Sequence, residues 1–567
     1  MDGITGWVDL DFQSNIESKK TCKTSDGFSK NSKWRGTDKF LIAFHGTITN
    51  KTELKQRLLL EGSQLYTDTV EELVLEAYII WKESLCSKLR GTFAVVIWDA
   101  REKTLFLLRD QLGIEQLFYY KDSSKIVFAS TLDRLLMHPA VQPVVSEQQL
   151  RLAVSFHTLS SRNTLLPQDI TALPPGSFAK INHQGAQIHT YWALTQKKHT
   201  DTYERTSEKI RYYLFDAIEK QITHSSDTAI YLSGSMESAV MASIVYNYAM
   251  HFGQIYRLNT LKTVACSWNV DSFSMSNDVK EHSEHTENSY PRNSHLVHSH
   301  NQIDIFPITF DVMHSLLKTV LHAKGSPGFF YQECVLLHVL NHIKVHTDEL
   351  FVDNQFHAIT DVSFETTAND AEALWHKLLA PEFRSSGISG QPKSSSQSQS
   401  SLQSPLQSLT QSPLQPSLQS SLQSPLQPLL HPLFCNSHQI ATAADIHLHN
   451  PYADFRFVEY QANIPAAFHD KNISQHALLH YITEPAFMQV SSLCSPPSLS
   501  HLEMLRQIAL AVLQNSDSVL YYLFDIGELM LVLQHGFLSG CTHFYLNLLT
   551  YLIQLDYWFR TYSITII

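Results

Sequence analysis

The sequence predicts two folded units in succession: an α+β unit built on antiparallel sheet, then an α/β unit built on a parallel sheet. Two observations carry this. Between residues 40 and 131, short apolar runs follow one another across polar turns with a single helical interruption, the pattern of consecutive antiparallel strands. From about residue 205 the order changes to helix, buried strand, small-residue turn and helix, which opens a parallel sheet.

In the first unit, Phe40–Thr49 reads as a strand running into a turn, with Asn50 placed to cap a helix from Lys51. Val70, Leu73, Val74, Ala77, Tyr78 and Trp81 recur at helical spacing. Thr92–Trp98, Thr104–Leu108, Leu117–Tyr120 and Lys125–Ser130 are short strands. Leu173–Gly176 and Tyr191–Trp192 close the unit, which spans residues 1–195.

The second unit spans residues 205–567. Ile210, Leu214, Ala217, Ile218 and Ile222 mark a helix; Ala229–Leu232 is a buried strand, Ser233–Ser238 a turn and Ala239–Met250 a helix. Val264–Trp268 and Leu350–Val352 are candidate later strands. Residues 385–428 repeat Ser-Pro-Leu-Gln and Ser-Leu-Gln, a composition that buries too little area to offset chain entropy, and read as a disordered insert. Folded composition resumes at Asp445, and Phe544–Ile553 reads as a core helix.

Hydrophobic residues at 43% and aromatics at 11% fit globular domains. A net charge of −12 argues against nucleic-acid and membrane-surface partners, because no excess of cations is present to meet phosphates. The seven cysteines include no C-x-x-C, so neither a disulfide framework nor a thiolate zinc site is indicated, and a reducing compartment is expected. Met1–Val8 has neither the basic nor the apolar region of a secretory signal. The apolar stretches Ser518–Phe537 and Phe544–Phe559 are interrupted by Asp525, Glu528 and Asp556, as in buried helices rather than a bilayer span. The cytoplasm is the expected address. His282, His285, His295, His298 and His300 share a polar, aperiodic segment with Glu281, Glu284 and Glu287. It reads as a solvated loop, with zinc binding as the alternative.

The Ser233 turn carries the most chemistry. Small residues between a strand and a helix let backbone N–H groups approach an anion, and the helix N-terminus adds positive potential. Ser233, Ser235 and Ser238 add hydroxyls, and Glu237 is a candidate magnesium ligand. The lysine of a Walker A loop is absent. An ordinary strand-to-helix turn with serine caps is the competing reading.

Several segments, in order, resemble the asparagine synthetase family, which joins a glutaminase domain to an ATP-pyrophosphatase domain. Met1-Asp-Gly-Ile-Thr-Gly6 resembles its Met-Cys-Gly-Ile-x-Gly start, and Thr67-Asp-Thr-Val-Glu71 its Ser/Thr-Asp-Thr-Glu segment. Leu89–Asp99 is similar to Leu-x-Gly-x-Phe-Ala-φ-x-φ-Trp-Asp, with φ apolar. Arg109-Asp-Gln-Leu-Gly-Ile-Glu-Gln-Leu-Phe-Tyr119 is similar to Arg-Asp-x-x-Gly-x-Lys-Pro-Leu-Tyr-Tyr. Leu232-Ser-Gly-Ser-Met-Glu-Ser238 resembles the pyrophosphate loop Leu-Ser-Gly-Gly-Leu-Asp-Ser. Ile446–Glu459 is similar to Ile-Glu-Val-Arg-x-Pro-Phe-Leu-Asp-x-x-φ-Val-Glu.

The resemblance implies an Ntn-type αββα sandwich followed by a Rossmann-like PP-loop domain. It implies ATP and Mg as cofactors, held by Leu232, Ser233, Gly234, Ser235, Met236, Glu237 and Ser238, with Glu237 on the metal. Gly46 and Asp68 fall at glutamine-binding positions. The departures are specific. Asp2 replaces the nucleophilic cysteine, and a carboxylate cannot reproduce a thiolate's attack and proton cycle. His45-Gly46-Thr47 replaces Asn-Gly-Glu, and the segment near Val352 lacks the glycines of Ser-Gly-Glu-Gly-x-Asp-Glu. His447 and His449 stand where the pattern has Glu and Arg, and are expected to be structural at the seam between units.

The expected function is therefore an ATP-dependent amide-bond ligase without glutamine hydrolysis. Its substrate is a small-molecule or peptide carboxylate, its amine comes from ammonia or from the substrate itself, and a homodimer is among the expectations. Lasso-peptide cyclases and β-lactam synthetases have a similarly silenced first domain. A non-catalytic pseudoenzyme keeping the scaffold is the alternative.

Overall fold

The computed structural model describes residues 3–9, 32–35, 38–122, 125–155, 165–222, 228–256, 262–268, 299–354, 356, 368–384, 427–469, 473–474, 477, 498–535 and 542–567. Asp2, the histidine-rich segment up to His298, and all but the last two residues of the 385–428 insert lie outside them. Gln427 and Pro428, read as the end of that insert, instead open a helix.

The first unit consists of strands β1 (Thr5–Asp9), β2 (Ser32–Arg35) and β3 (Asp38–Ile48), helices α1 (Lys51–Leu60) and α2 (Val70–Trp81), then strands β4 (Gly91–Asp99), β5 (Thr104–Arg109), β6 (Phe118–Lys121) and β7 (Lys125–Ala129). Helix α3 (Leu132–Leu136), β8 (Val144–Val145), α4 (Glu147–Ala153), β9 (Ile170–Ala172), β10 (Ser177–Asn182) and β11 (Gly185–Thr190) complete it. Two antiparallel sheets form, of order β1-β7-β6-β9 and β11-β10-β5-β4-β3-β2.

Strand alternation decides the layering, because successive side chains point to opposite faces. Ala94, Val96 and Trp98 of β4 meet Tyr119, Ile126 and Phe128 of the smaller sheet, whereas Val95 and Ile97 turn to Leu54, Leu73, Ala77 and Tyr78 of α1 and α2. The outer face of the smaller sheet packs Val127 and Ala129 against α3, α4 and helices of the second unit. The result is helix, sheet, sheet, helix, the sandwich expected from the sequence. One local expectation fails. Asn50 makes no side-chain cap on α1; its amide donates to Lys88 O at 2.8 Å and its Oδ1 accepts from Arg90 N at 3.0 Å. Two main-chain groups of the turn before β4 claim the side chain instead.

The second unit opens with α5 (Tyr203–Gln221), β12 (Thr228–Tyr231), α6 (Met236–Tyr256), β13 (Lys262–Trp268), β14 (Ser299–Ile305), α7 (Phe310–Lys324), α8 (Tyr331–Ile343) and β15 (Glu349–Phe351). It continues with α9 (Ala368–Leu378), α10 (Gln427–Ala443), β16 (His447–His449), α11 (Phe455–Ala462), α12 (Ser498–Leu513), α13 (Ile526–His535), α14 (Thr542–Tyr562) and β17 (Thr565–Ile566). Its five strands are parallel, in the order β14-β13-β12-β15-β16. One face packs on α5, α6 and α11, the other on α7, α8, α10 and α14. Helix α6 starts at Met236, three residues before the expected Ala239, so Glu237 and Ser238 lie in its first turn rather than in a loop. Among the described residues no helix is long and apolar enough to cross a membrane.

The two units are joined over a broad seam. The terminal strand β17 pairs in parallel with β8, and the fully buried Trp375 donates its indole N–H to Val154 O at 2.6 Å.

Candidate functional site

In the parallel sheet, β13 and β14 follow on one side of β12, while β15 and β16 lie on the other. The carboxyl ends of β12 and β15 are therefore a topological switch point, where open α/β sheets bind ligands. The Ser233–Ser238 turn leaves β12 at this place, with Gly234 at φ +82° in the left-handed region that glycine adopts without penalty. Leu232 N donates to Val264 O at 2.8 Å and extends the sheet to the turn's edge. Ser235 Oγ accepts from Ser238 N at 2.9 Å, the pattern of an N-cap on α6. Met236 packs partly buried against the core beneath α5 and α6.

From β15 the chain delivers Asp353, fully buried, into the same turn. Its Oδ2 accepts from Ser233 Oγ at 2.6 Å and from Ser235 Oγ, and its Oδ1 accepts from Phe356 N at 3.0 Å. Burial raises the Asp353 carboxyl against the pull of the two serine hydroxyls. Glu237 is partly buried, its main-chain oxygen accepting from Tyr452 Oη at 2.9 Å. Burial and the neighbouring Asp353 push its carboxyl up to about 8. The turn's hydroxyls are thus directed onto a side chain of this protein, and as folded they do not fit a triphosphate without rearrangement.

The sequence places Asp353 in a segment short of glycine but does not reveal where its carboxylate goes. A carboxylate two residues past a strand end was the available signal. Tyr452 belongs to the Ile446–Glu459 segment, which the fold brings beside the turn. In the same segment Arg456 is fixed by Asp454, at 2.9 and 2.7 Å, and by Asp216 of α5 at 2.7 Å.

A second cluster lies in the seam. Glu115, whose side chain is 7% exposed, accepts from His438 Nε2 of α10 at 2.8 Å and lies 3.4 Å from His45 Nε2 of β3. Both His45 and Glu115 are departures from the pattern quoted above, the second standing in place of lysine. Burial would raise the Glu115 carboxyl, but His438, His45 and Arg109 outweigh it and hold it at about 2. Burial works to lower His438, yet Glu115, through charge and hydrogen bond, brings its net shift upward. Nearby, a cavity of about 60 Å³ separates the units, lined by Thr47, Asp110, Gln111, His438, His449 and Asp454 among others. His449 stacks on Phe351 with ring centroids 4.9 Å apart, and His447 is exposed.

Gly46 and Asp68 do not join either cluster by any contact among the described residues. Gly46 has φ +106°, and a Cβ there would lie 2.1 Å from Thr92 O of the paired strand β4. Backbone geometry therefore requires this glycine whatever else it does. Gly46→Ala is expected to destabilise the sandwich by about 3 kcal/mol or more, since strained φ alone costs about 1–3 kcal/mol; a urea melt reads it out. Asp68 is 68% exposed, and its carboxylate accepts from Lys55 at 2.9 Å with Lys51 at 3.4 Å, which a surface ion pair accounts for.

The glutamine amidotransferase domain family matches residues 33–192, the sandwich just described. Asparagine synthetase [glutamine-hydrolyzing] 3 of Bacillus subtilis (strain 168) is 26% identical over 285 residues, covering 44% of this chain and 46% of that protein. Asparagine synthetase [glutamine-hydrolyzing] 1 of the same organism is 27% identical over 211 residues, 37% of this chain and 33% of that protein. The chain therefore spans less than half the length of these relatives. The solved glutamine phosphoribosylpyrophosphate amidotransferase from B. subtilis, complexed with ADP and GMP, aligns over 41% of this chain and 56% of its own, at 14% identity and a TM-score of 0.21. That likeness is too slight to bear on the fold. The first unit is a glutamine amidotransferase-type domain. Over these stretches the chain is similar to the asparagine synthetases.

Proposed function

We propose that the protein is an ATP-dependent amide-bond ligase of this family that no longer hydrolyses glutamine. The observation that carries the reading is the serine-lined turn at the switch point between β12 and β15. Bound ATP would supply the adenylyl group that activates a substrate carboxylate, with pyrophosphate as the leaving group. Ser233, Ser235 and Ser238 would donate hydroxyls to phosphate oxygens, Glu237 would stand toward Mg, and Tyr452 would steady the turn through the Glu237 carbonyl. The acceptor is a small-molecule or peptide carboxylate. With Asp2 in place of cysteine, the amine is ammonia or an amine of the substrate, the arrangement that an intramolecular, lasso-type closure also uses.

The test is ATP–pyrophosphate exchange with a panel of carboxylates, run beside a glutaminase assay. Exchange is expected, falling at least about tenfold in Ser233→Ala, as losing a donor to a charged oxygen costs about 1.5–3 kcal/mol. No glutamate is expected from glutamine. Absence of exchange from wild type and turn variants alike would overturn the ligase. One observation, the Asp353 carboxylate seated among the serines, favours a second reading in which the scaffold is kept for binding without catalysis.

A further inference from the structure

We infer that Asp353 is a built-in occupant of the anion seat formed by the Ser233–Ser238 turn, so that a phosphate-bearing ligand enters only when this carboxylate leaves. The inference rests on reading the turn as a nucleotide site and adds what controls access to it.

Its basis is placement and chemistry. β12 and β15 are adjacent and in parallel register, Ile230 opposite Phe351, so the residues just past each strand end converge. Asp353 and Ser233 meet there although 120 positions separate them in sequence. The carboxylate takes two hydroxyl donors and one main-chain N–H, an anion's complement of hydrogen bonds. No lysine or arginine pairs with it among the described residues, so its surroundings answer its charge with oriented dipoles alone. Phosphate oxygens would need the same dipoles. Two anions cannot share them at contact distance. Ser233 and Ser238 are also only 3.3 Å apart between hydroxyl oxygens, so the seat is drawn closed around what it holds.

The occupant is specific to one side chain and therefore removable. Calorimetric titration of the full chain with MgATP, and separately with inorganic pyrophosphate, should compare wild type with Asp353→Gly and the near-isosteric Asp353→Asn. The second variant keeps the volume and removes the charge, which guards against loss of fold in the first. Binding is expected to tighten at least tenfold in Asp353→Gly and by a smaller factor in Asp353→Asn. Adding Ser233→Ala to either variant should abolish the gain. Equal, tight binding by wild type and both variants would overturn the occupant while leaving the turn as a nucleotide site. No binding of either probe to any of the folded proteins would overturn the nucleotide site itself, and the occupant with it.

Discussion

Replacing Glu115 with alanine is expected to lower stability by about 3–5 kcal/mol, the cost of stripping one partner from a buried charged cluster. The carboxylate is almost completely enclosed and is shared between His438 of the second unit and His45 of the first. Without it, His438 keeps its burial and loses the interaction that sustains its proton. The pH dependence has a defined sign. The Glu115 carboxyl is depressed from 4.5 to about 2, so its contribution is full above pH 4.5 and fades as pH falls toward 2. His438 is raised from 6.5, so its contribution is full below pH 6.5 and is lost as pH rises through the elevated value. The difference in urea midpoint between wild type and Glu115→Ala should therefore be largest between about pH 4.5 and 6.5. Taking that difference cancels carboxyls remote from the seam but not Asp110, which burial pushes up to about 6 and which the Glu115 charge raises further. A flat difference from pH 4 to 9 would remove the ionic account of the seam.

Arg109→Ala should be comparably damaging for a different reason. The guanidinium is 3% exposed and donates to three main-chain oxygens: Glu115 O at 2.6 Å, Leu173 O at 2.6 Å and Gly113 O at 2.7 Å. Each carbonyl left buried without a donor costs about 1–3 kcal/mol, so several kcal/mol are at stake. The loop that carries Glu115 is the one Arg109 holds, so this change should loosen the seam as well as the sandwich. The check is a pair of denaturation curves, one on tryptophan fluorescence and one on far-ultraviolet circular dichroism. Coincident curves displaced to lower urea fit the account; an unchanged midpoint would contradict it. Arg109→Lys should not rescue, because one ammonium cannot span three diverging carbonyls.

Much of the fold is legible in local sequence. The alternation in Thr92–Trp98 places β4 between two cores, and the helical spacing of Val70 to Trp81 marks α2. The strand, turn and helix around Ser233 open the parallel sheet. These signals are short-range, because strand and helix periods are set by backbone geometry over a few residues. The departures at Asp2, His45 and Glu115 are equally visible in the chain. What they are for is not.

Tertiary structure decided the rest. Asn50 reads as a helix cap, yet two backbone groups of the turn before β4 hold its side chain. Gly46 reads as a binding position, and the sequence does not show the separate requirement that the carbonyl of Thr92 on the paired strand leaves no room for a Cβ. Glu115 and His438 are 323 residues apart, and only the docking of α10 against the sandwich makes them a pair. The sequence by itself determined the order of elements, the family resemblance and the chemical types at the turn. The order of the parallel strands then determined that a carboxylate from β15 falls among the serines that follow β12. A hydrogen bond depends on the separation of two atoms in space, and for residues this distant along the chain that separation is fixed only when the whole sheet has assembled.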